Sequence, residues 1–492
     1  MSSPSLLYSA AQVRAMDAYA IAQGTDGYAL MKHAAEAALR ALRSRWPTAM
    51  RVSIVTGGGN NGGDGYALAR FAQAAGLAVS VRAVVSPQAL RGDALHACED
   101  FRASGGRIAA YDGALIADTD VIVDALLGTG LSENVRDAVA QAINDINACG
   151  RPVLALDLPS GLNADSGMVM GSAISADCTI SFVALKTGLF LAAGPDHVGR
   201  LLFDDLAVSP PPEPRFRALL ERLSETEISR TLPPRAREAN KGDFGRVVII
   251  GGAPGMPGAV RLAGESCLRV GAGLVTVATA PENLTAVVAG RPELILYALE
   301  EASGLEELLR RADVVAIGPG LGQTPWASTM LDVALNCGKP LVIDADALNL
   351  LARAGRTAPA RSVLTPHPGE AGRLLGSSAA VIQSDRLAAL HALQGRHPEA
   401  VIVLKGAGTL IGAANQIPAI CERGNPAMAA PGMGDVLTGA ITGILAQCRD
   451  PWRAARAGVL AHALGGDDLA RDSSRGILAL ELAETIGRWV NL

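Results

Sequence analysis

The sequence predicts two successive α/β domains, each a three-layer αβα sandwich around a mostly parallel sheet. Short, almost continuous apolar runs alternate with segments of helical period, as a parallel sheet covered by helices on both faces requires. The chain of 492 residues exceeds what one hydrophobic core ordinarily spans. The stretch SPPPEPRF, residues 209 to 216, interrupts the alternation, because adjacent prolines enter neither a helix interior nor a central strand.

The apolar runs of the first domain, residues 1–210, are RVSIVTG, AVSVRAVV, DVIVDALLG, PVLALDLPSG and CTISFVALK. Residues 211–239 read as a linker and a lead-in helix within ALLERLSETEISR, followed by a second proline-containing connection. The second domain, residues 240–492, repeats the rhythm with RVVIIGG, LVTVAT, DVVAIGPG, PLVIDADAL, SVLTPH and AVIVLKG. No sequence repeat links the halves, so the chain reads as a fusion of two folds.

Composition narrows the function. With 49% hydrophobic but only 3% aromatic residues, the cores are built of Ala, Val, Leu and Ile. A net charge of −5, without a basic block, gives no electrostatic support for a nucleic-acid or acidic-membrane partner, and a small-molecule substrate is expected. The seven cysteines lack the paired spacings of a zinc site or a disulfide framework. Neither a secretory leader nor a run of 18 apolar residues is present, so a cytoplasmic protein is expected.

VTGGGNNGGDGYALAR, residues 55 to 70, follows the first strand and leads into a helix expected to begin near Tyr66. Free N–H groups and the helix dipole at such a junction attract phosphate. A dinucleotide-binding Rossmann unit would end its second strand with a ribose-holding acid, but AVSVRAVVSPQ offers only Ser86, which weakens a dehydrogenase reading. Two further strand ends carry Asp124 and the pair Asp157 and Ser160. In a parallel sheet these share one rim with Asn61 and Asp64, and a cluster of oxygen donors without sulfur or imidazole suits a hard cation.

GGGNNGGDGYALAR, DALLGTGL and DLPSGLNADSG, in this order, resemble the NAD(P)H-hydrate epimerase family over roughly residues 8 to 210. The resemblance implies a Rossmann-like fold that interconverts the R and S epimers of hydrated NADH and NADPH (NADHX and NADPHX). It implies a potassium (K+) site from Asn61, Asp124 and Ser160. It also implies substrate contacts from Asn60, Asn61, Gly62, Gly63, Asp64, Gly128, Thr129, Gly130, Leu131, Ser132, Glu133, Asn134 and Asp157. Asp157 is the expected proton-transfer residue, since a positioned carboxylate can act as acid and base in turn.

In the second domain NPAMAAPGMGDVLTGAITGILAQ, residues 425 to 447, sets a glycine loop before a helix whose N-terminus can hold developing negative charge. Asp435 in its first turn reads either as an ordinary N-terminal helix acid or as the base that deprotonates a hydroxyl attacking a phosphoryl group. Neither a Walker loop nor the protein-kinase motifs occur. GMGDVLTG, VIDADALN, LTPHPGE, VLKGAGT and the opening NKGDFGRVVIIGG resemble the ribokinase-like superfamily, specifically its ADP/ATP-dependent NAD(P)H-hydrate dehydratase branch, over about residues 225 to 490.

That resemblance implies nucleotide contacts from Lys405, Gly406, Ala407, Gly408, Thr409 and Gly434. It implies hydrate contacts from Ala259, Gly320 or Gly322, His367 and Asp435, with Asp435 as catalytic base. Magnesium (Mg2+) and ADP are the expected cofactor and co-substrate, AMP and phosphate the products, and a homo-oligomer the expected assembly. The competing reading is a vitamin-precursor kinase fused to a non-catalytic nucleotide-binding module.

Overall fold

The computed structural model describes residues 5–113, 118–211, 213–471 and 474–491. It forms two compact units, Met1–Leu220 and Glu221–Leu492. Among the described residues no helix is long and apolar enough to cross a membrane.

The first unit is built on a seven-stranded, wholly parallel sheet. Its order is Ile108–Ala110, Ala78–Ala83, Arg51–Thr56, Val121–Ala125, Val153–Leu156, Cys178–Phe182 and Arg200–Asp204. The chain runs outward from Arg51–Thr56 to one edge and then returns to build the other side. The crevice between Arg51–Thr56 and Val121–Ala125 is therefore a topological switch point, where parallel α/β sheets bind ligands. Asp124 and Asp157 lie at the carboxyl ends of neighbouring strands beside this crevice.

The helix after the glycine loop begins at Asn60, not near Tyr66, and runs to Ala74. Glycine-rich NNGGDG is a poor helix former by propensity, but tertiary fit overrides propensity here. A Cβ at Gly62 would stand 2.3 Å from the Gly57 carbonyl oxygen, and one at Gly65 would stand 2.6 Å from the Ala125 Cβ. The glycines let this helix press onto the strand ends, which places Asn61 and Asp64 in its first two turns.

The sheet of the second unit runs Ile295–Ala298, Leu274–Thr279, Arg246–Ile250, Val314–Ile317, Leu341–Ile343, Ser362–Leu364, Val401–Leu404, Thr409–Gly412, Ala419–Cys421 and Leu220–Arg222. Thr409–Gly412 is antiparallel to both its neighbours, and every other pairing is parallel. The lead-in helix expected in ALLERLSETEISR is shorter than predicted. Leu220–Arg222 pairs with Ala419–Cys421 as a strand, and helix forms only over Thr226–Thr231. Pro212, in the proline-rich stretch, lies outside the described residues.

Helices Pro257–Arg269, Met433–Cys448, Pro451–Ala470 and Ala479–Trp489 share one core with the strand residues Val247, Ile249, Val275 and Val277. Met433–Cys448 crosses Pro257–Arg269 at glycine contacts. A Cβ at Gly439 would come within 2.0 Å of the Ala263 carbonyl oxygen, and one at Gly443 within 2.5 Å of the Val270 side chain. This approach sets the depth at which the helix bearing Asp435 sits. Gly439→Ala is therefore expected to lower the stability of the second unit by about 1–3 kcal/mol, read as the drop in its denaturation midpoint.

Candidate active sites

In the first unit a cavity of about 730 Å³ opens at the switch point. It is lined by Asn60, Asn61, Asp64, Asp157 and the whole run from Gly128 to Asn134. Gly62 and Gly63, expected among the substrate contacts, do not line it. Gly62 backs onto Gly57, and a Cβ on Gly63 would stand 2.5 Å from the Met31 side chain, so both serve close packing behind the cavity wall.

Asn61, Asp124 and Ser160 converge beside Leu127. Asn61 Nδ2 donates to the Leu127 carbonyl at 2.8 Å, and the Leu127 N–H donates to Ser160 Oγ at 2.8 Å. Asp124 accepts from the Ser160 N–H at 2.8 Å, from Ser160 Oγ at 2.6 Å and from the Leu126 N–H at 3.2 Å. Burial pushes the Asp124 carboxyl up to about 6, even though the bonds from Ser160 and Leu126 favour its charged form. Among the described residues, Asn61 Oδ1 is buried without a hydrogen-bond partner. An oxygen cluster with one buried carboxylate and an unsatisfied amide oxygen suits a hard monovalent or divalent cation. Among the described residues no three His, Cys, Asp or Glu side chains group as a metal site.

Deeper in the cavity the ammonium of Lys186, fully buried, donates to Asp157 Oδ1, to Ser181 Oγ at 3.1 Å and to the Phe182 carbonyl at 2.8 Å. Asp17, on helix Ala10–Ala22, and Asp64 line the same cavity. Burial raises the Asp17 carboxyl to about 6, with Lys186 opposing the rise. Burial, reinforced by Asp157 and Asp17, raises Asp64 well above the usual carboxylate range. Asp17, Asp64 and Asp157 lie around one buried ammonium, and Asp17 and Asp64 hold their protons more tightly than ordinary carboxyls.

In the second unit the carboxyl edge gathers a second charged cluster. Lys405, ending strand Val401–Leu404, donates to Asp344 Oδ1 at 2.7 Å and stands 3.9 Å from Glu370 Oε2. Thr438 Oγ1 donates to the other Asp344 oxygen at 2.7 Å. Burial alone would push Asp344 up, but Lys405 and Thr438 hold it below its ordinary value, and Asp344 and Glu370 in turn raise Lys405.

Asp435 lies in the first turn of Met433–Cys448, whose N-cap Gly432 has φ of +86°, a conformation glycine adopts without strain. Burial first, then the neighbouring Asp344, raises Asp435 to about 7. Gly434 presses against the pair; a Cβ there would stand 3.4 Å from Lys405 Nζ.

The remaining predicted residues lie on neighbouring loops. His367 caps helix Pro368–Leu375, accepting from the Gly369 N–H at 3.0 Å, and its Nε2 is 3.3 Å from Glu370 Oε1. Burial, with Lys405 and Arg373, lowers its pKa and favours the neutral ring. Ala259 sits against Gly320, and the Gly322 N–H donates to Asp346 Oδ2 at 2.8 Å. The turn from Lys405 to Thr409 takes positive φ at Gly406 and Gly408 and exposes Ala407 at its tip. Buried Arg386 fixes the turn by donating to the carbonyls of Leu404 at 3.1 Å and Gly408 at 3.2 Å.

Sequence reasoning missed Lys186, Asp17, Glu370, Thr438 and Arg386. Lys186 closes the strand run CTISFVALK and Glu370 lies inside LTPHPGE, so both carried a signal. Asp17 and Arg386, on unremarkable helices, carried none.

A family model described as NAD(P)H-hydrate dehydratase matches residues 247–488, and one described as YjeF-related protein N-terminus matches residues 27–188. The chain is 45% identical to the bifunctional NAD(P)H-hydrate repair enzyme Nnr of Coxiella burnetii, over 97% of this chain and 98% of the relative. It is 45% identical to the enzyme of the same name from Escherichia coli, over 95% and 90%. A solved ribokinase-like superfamily protein from Enterococcus faecalis superposes with a TM-score of 0.52 at 32% identity, over 55% of this chain and 95% of that one. Matched along nearly the whole length of such relatives, the chain belongs to the family of bifunctional NAD(P)H-hydrate repair enzymes, which join an epimerase and a dehydratase.

Proposed function

We propose that residues 1–210 interconvert (6R)- and (6S)-NAD(P)HX and that residues 240–492 dehydrate the S epimer with ADP as phosphoryl donor, with 211–239 linking them. The observation that carries the reading is Asp435, a carboxyl raised to about 7 beside the Lys405–Asp344 pair at a helix N-terminus. A base with a pKa near the working pH is the one best matched to taking a hydroxyl proton.

In the dehydration, the C6 hydroxyl oxygen attacks the terminal phosphorus of ADP, Asp435 accepts the hydroxyl proton, and AMP leaves. Phosphate then departs from C6 with the electrons of the C–O bond as the ring nitrogen supplies its lone pair. The C5 proton passes to the departing phosphate, which restores the dihydronicotinamide. Lys405 offsets the charge that builds on the phosphates, and the turn from Lys405 to Thr409 with Gly434 holds the nucleotide. Ala259, Gly320, Gly322 and His367 position the hydrate. Magnesium would screen the phosphates, with Asp346, which takes part in no ion pair among the described residues, as its oxygen donor on the protein.

Epimerisation at C6 needs an acid and a base together. Removing the hydroxyl proton and protonating the ring nitrogen breaks the C6–N bond to an open aldehyde. Rotation and closure on the other face then return both protons. Asp157, oriented by Lys186, is the base, and Asp64, whose buried carboxyl holds its proton more tightly than usual, is the acid. Asn61, Asp124 and Ser160 would hold potassium, whose charge would favour the ionised form of Asp124 and fix the Gly128–Asn134 wall. We also propose a homo-oligomer, and a cytoplasmic setting in keeping with seven free cysteines.

Four outcomes follow from these assignments. Turnover of (S)-NADHX at saturating ADP is expected to rise with pH through about 7, since only ionised Asp435 accepts the proton; Asp435→Asn should lose about 100-fold or more and show no such rise. Stability moves the opposite way. A folded-state value raised above the unfolded one contributes stability that is present at low pH and lost as pH rises through about 7. The Asn variant should therefore melt above the wild type at pH 8.

With a mixed-epimer substrate, Asp157→Asn should leave recovery of the dihydronicotinamide absorbance halted once the S form is spent, with epimerisation slowed about 100-fold or more. Potassium titration of Asp124→Asn should show activation of epimerisation weakened by about tenfold or more, while dehydration of the S form is unchanged.

A further inference from the structure

Outside the groups used above, the second unit carries a cavity of about 460 Å³ lined by Gln323, Asn349, Ala352, Arg353 and Arg373. Its lining contains two guanidinium groups and no carboxylate. Neither arginine takes part in an ion pair among the described residues. Both are oriented by neutral amide oxygens instead: Arg373 Nε donates to Asn349 Oδ1 at 2.6 Å, and Arg353 Nη2 donates to Gln323 Oε1. Each guanidinium retains further N–H donors, in the fork geometry that suits phosphate oxygens.

The cavity is joined to the reaction centre by one helix face. Asp346, Asn349 and Arg353 stand at i, i+3 and i+7 on helix Ala345–Arg353, a stripe of roughly 10 Å at 1.5 Å per residue. Its inner end is Asp346, whose charge acts on Asp435 and whose carboxylate accepts from the Gly322 N–H and from Gln323 Nε2. Arg373 approaches from the facing helix Pro368–Leu375, whose N-cap is His367. Arg353 thus lies along one helix face from Asp346, with Arg373 lining the same cavity, and in a hydrate with its ring at Asp435 the first anionic group beyond the ring and its ribose is the diphosphate.

Resting on the dehydratase reading, we propose that Arg353 and Arg373 form a phosphate-binding site for the diphosphate of the hydrated dinucleotide, which holds the substrate by its backbone while the ring reacts. The site serves binding and takes no part in proton or phosphoryl transfer. Its chemistry would equally accept a 2′-phosphate, which only NADPHX carries, or the phosphates of ADP, and these sources separate kinetically.

The test is steady-state dehydration of (S)-NADHX and (S)-NADPHX by the full chain, comparing wild type with Arg353→Gln and Arg373→Gln. An increase in KM of about tenfold for both hydrates, with kcat and the KM for ADP unchanged, is expected. An increase confined to NADPHX keeps the anion site but transfers it to the 2′-phosphate. Unchanged KM for both hydrates, or an effect on ADP alone, overturns the proposal.

Calorimetric titration with inorganic pyrophosphate provides a readout independent of turnover. Binding by wild type that weakens in Arg373→Gln is expected, and equal binding or none in both proteins overturns the site. Wild-type protein that dehydrates neither hydrate would sink the dehydratase reading, leaving the pyrophosphate comparison to judge the arginines separately.

Discussion

An ammonium group taken out of water costs several kcal/mol unless a carboxylate and further acceptors meet it. Each unit of this chain is organised around one such group. Lys186 is fully buried at the carboxyl edge of the first sheet and spends its donors on Asp157, Ser181 and the Phe182 carbonyl. Lys405, nearly buried at the corresponding edge of the second sheet, is met by Asp344. The cations orient the carboxylates, and the carboxylates compensate the cations. Burial raises Asp17 and Asp64 in one unit and Asp435 in the other above the ordinary carboxylate range, and neighbouring carboxylates add to the rise. The buried lysines oppose that rise without cancelling it.

Glycine supplies the geometry that charge alone does not. In the first unit Gly62 and Gly65 bring a helix onto the strand ends, so that Asn61 and Asp64 reach into the crevice from its first turns. In the second, Gly432 turns the chain through a positive φ while Gly439 and Gly443 seat the helix deeply. The residue type is the same, and the reasons differ: close approach in one place, backbone conformation in another.

The two reactions make sense of the two charge patterns. The proposed epimerisation returns every proton it takes, and carboxyls that hold their protons tightly suit it. Making hydroxide into a leaving group consumes a phosphoryl donor, and the second unit sets the raised carboxyl of Asp435 beside a lysine at a helix N-terminus, where phosphate charge can gather. Joining both in one chain lets either epimer of the damaged cofactor be repaired.

By itself the sequence determined the sheet class of both units, the strand runs and the glycine loops, because each is written in residues close along the chain. The same holds for Asp124, Asp157, Ser160 and Asp435, which stand at strand ends or at a helix start. It misplaced the helix start at Asn60, where tertiary fit outweighs the low propensity of glycine. It was silent on the partners. Lys186 meets Asp157 across 29 residues, Lys405 meets Asp344 across 61, and Thr438 meets the same Asp344 across 94. Periodicity tells which face a side chain takes within its own element. Which residue of another element stands opposite depends on strand order and register, and only the folded sheets decide those.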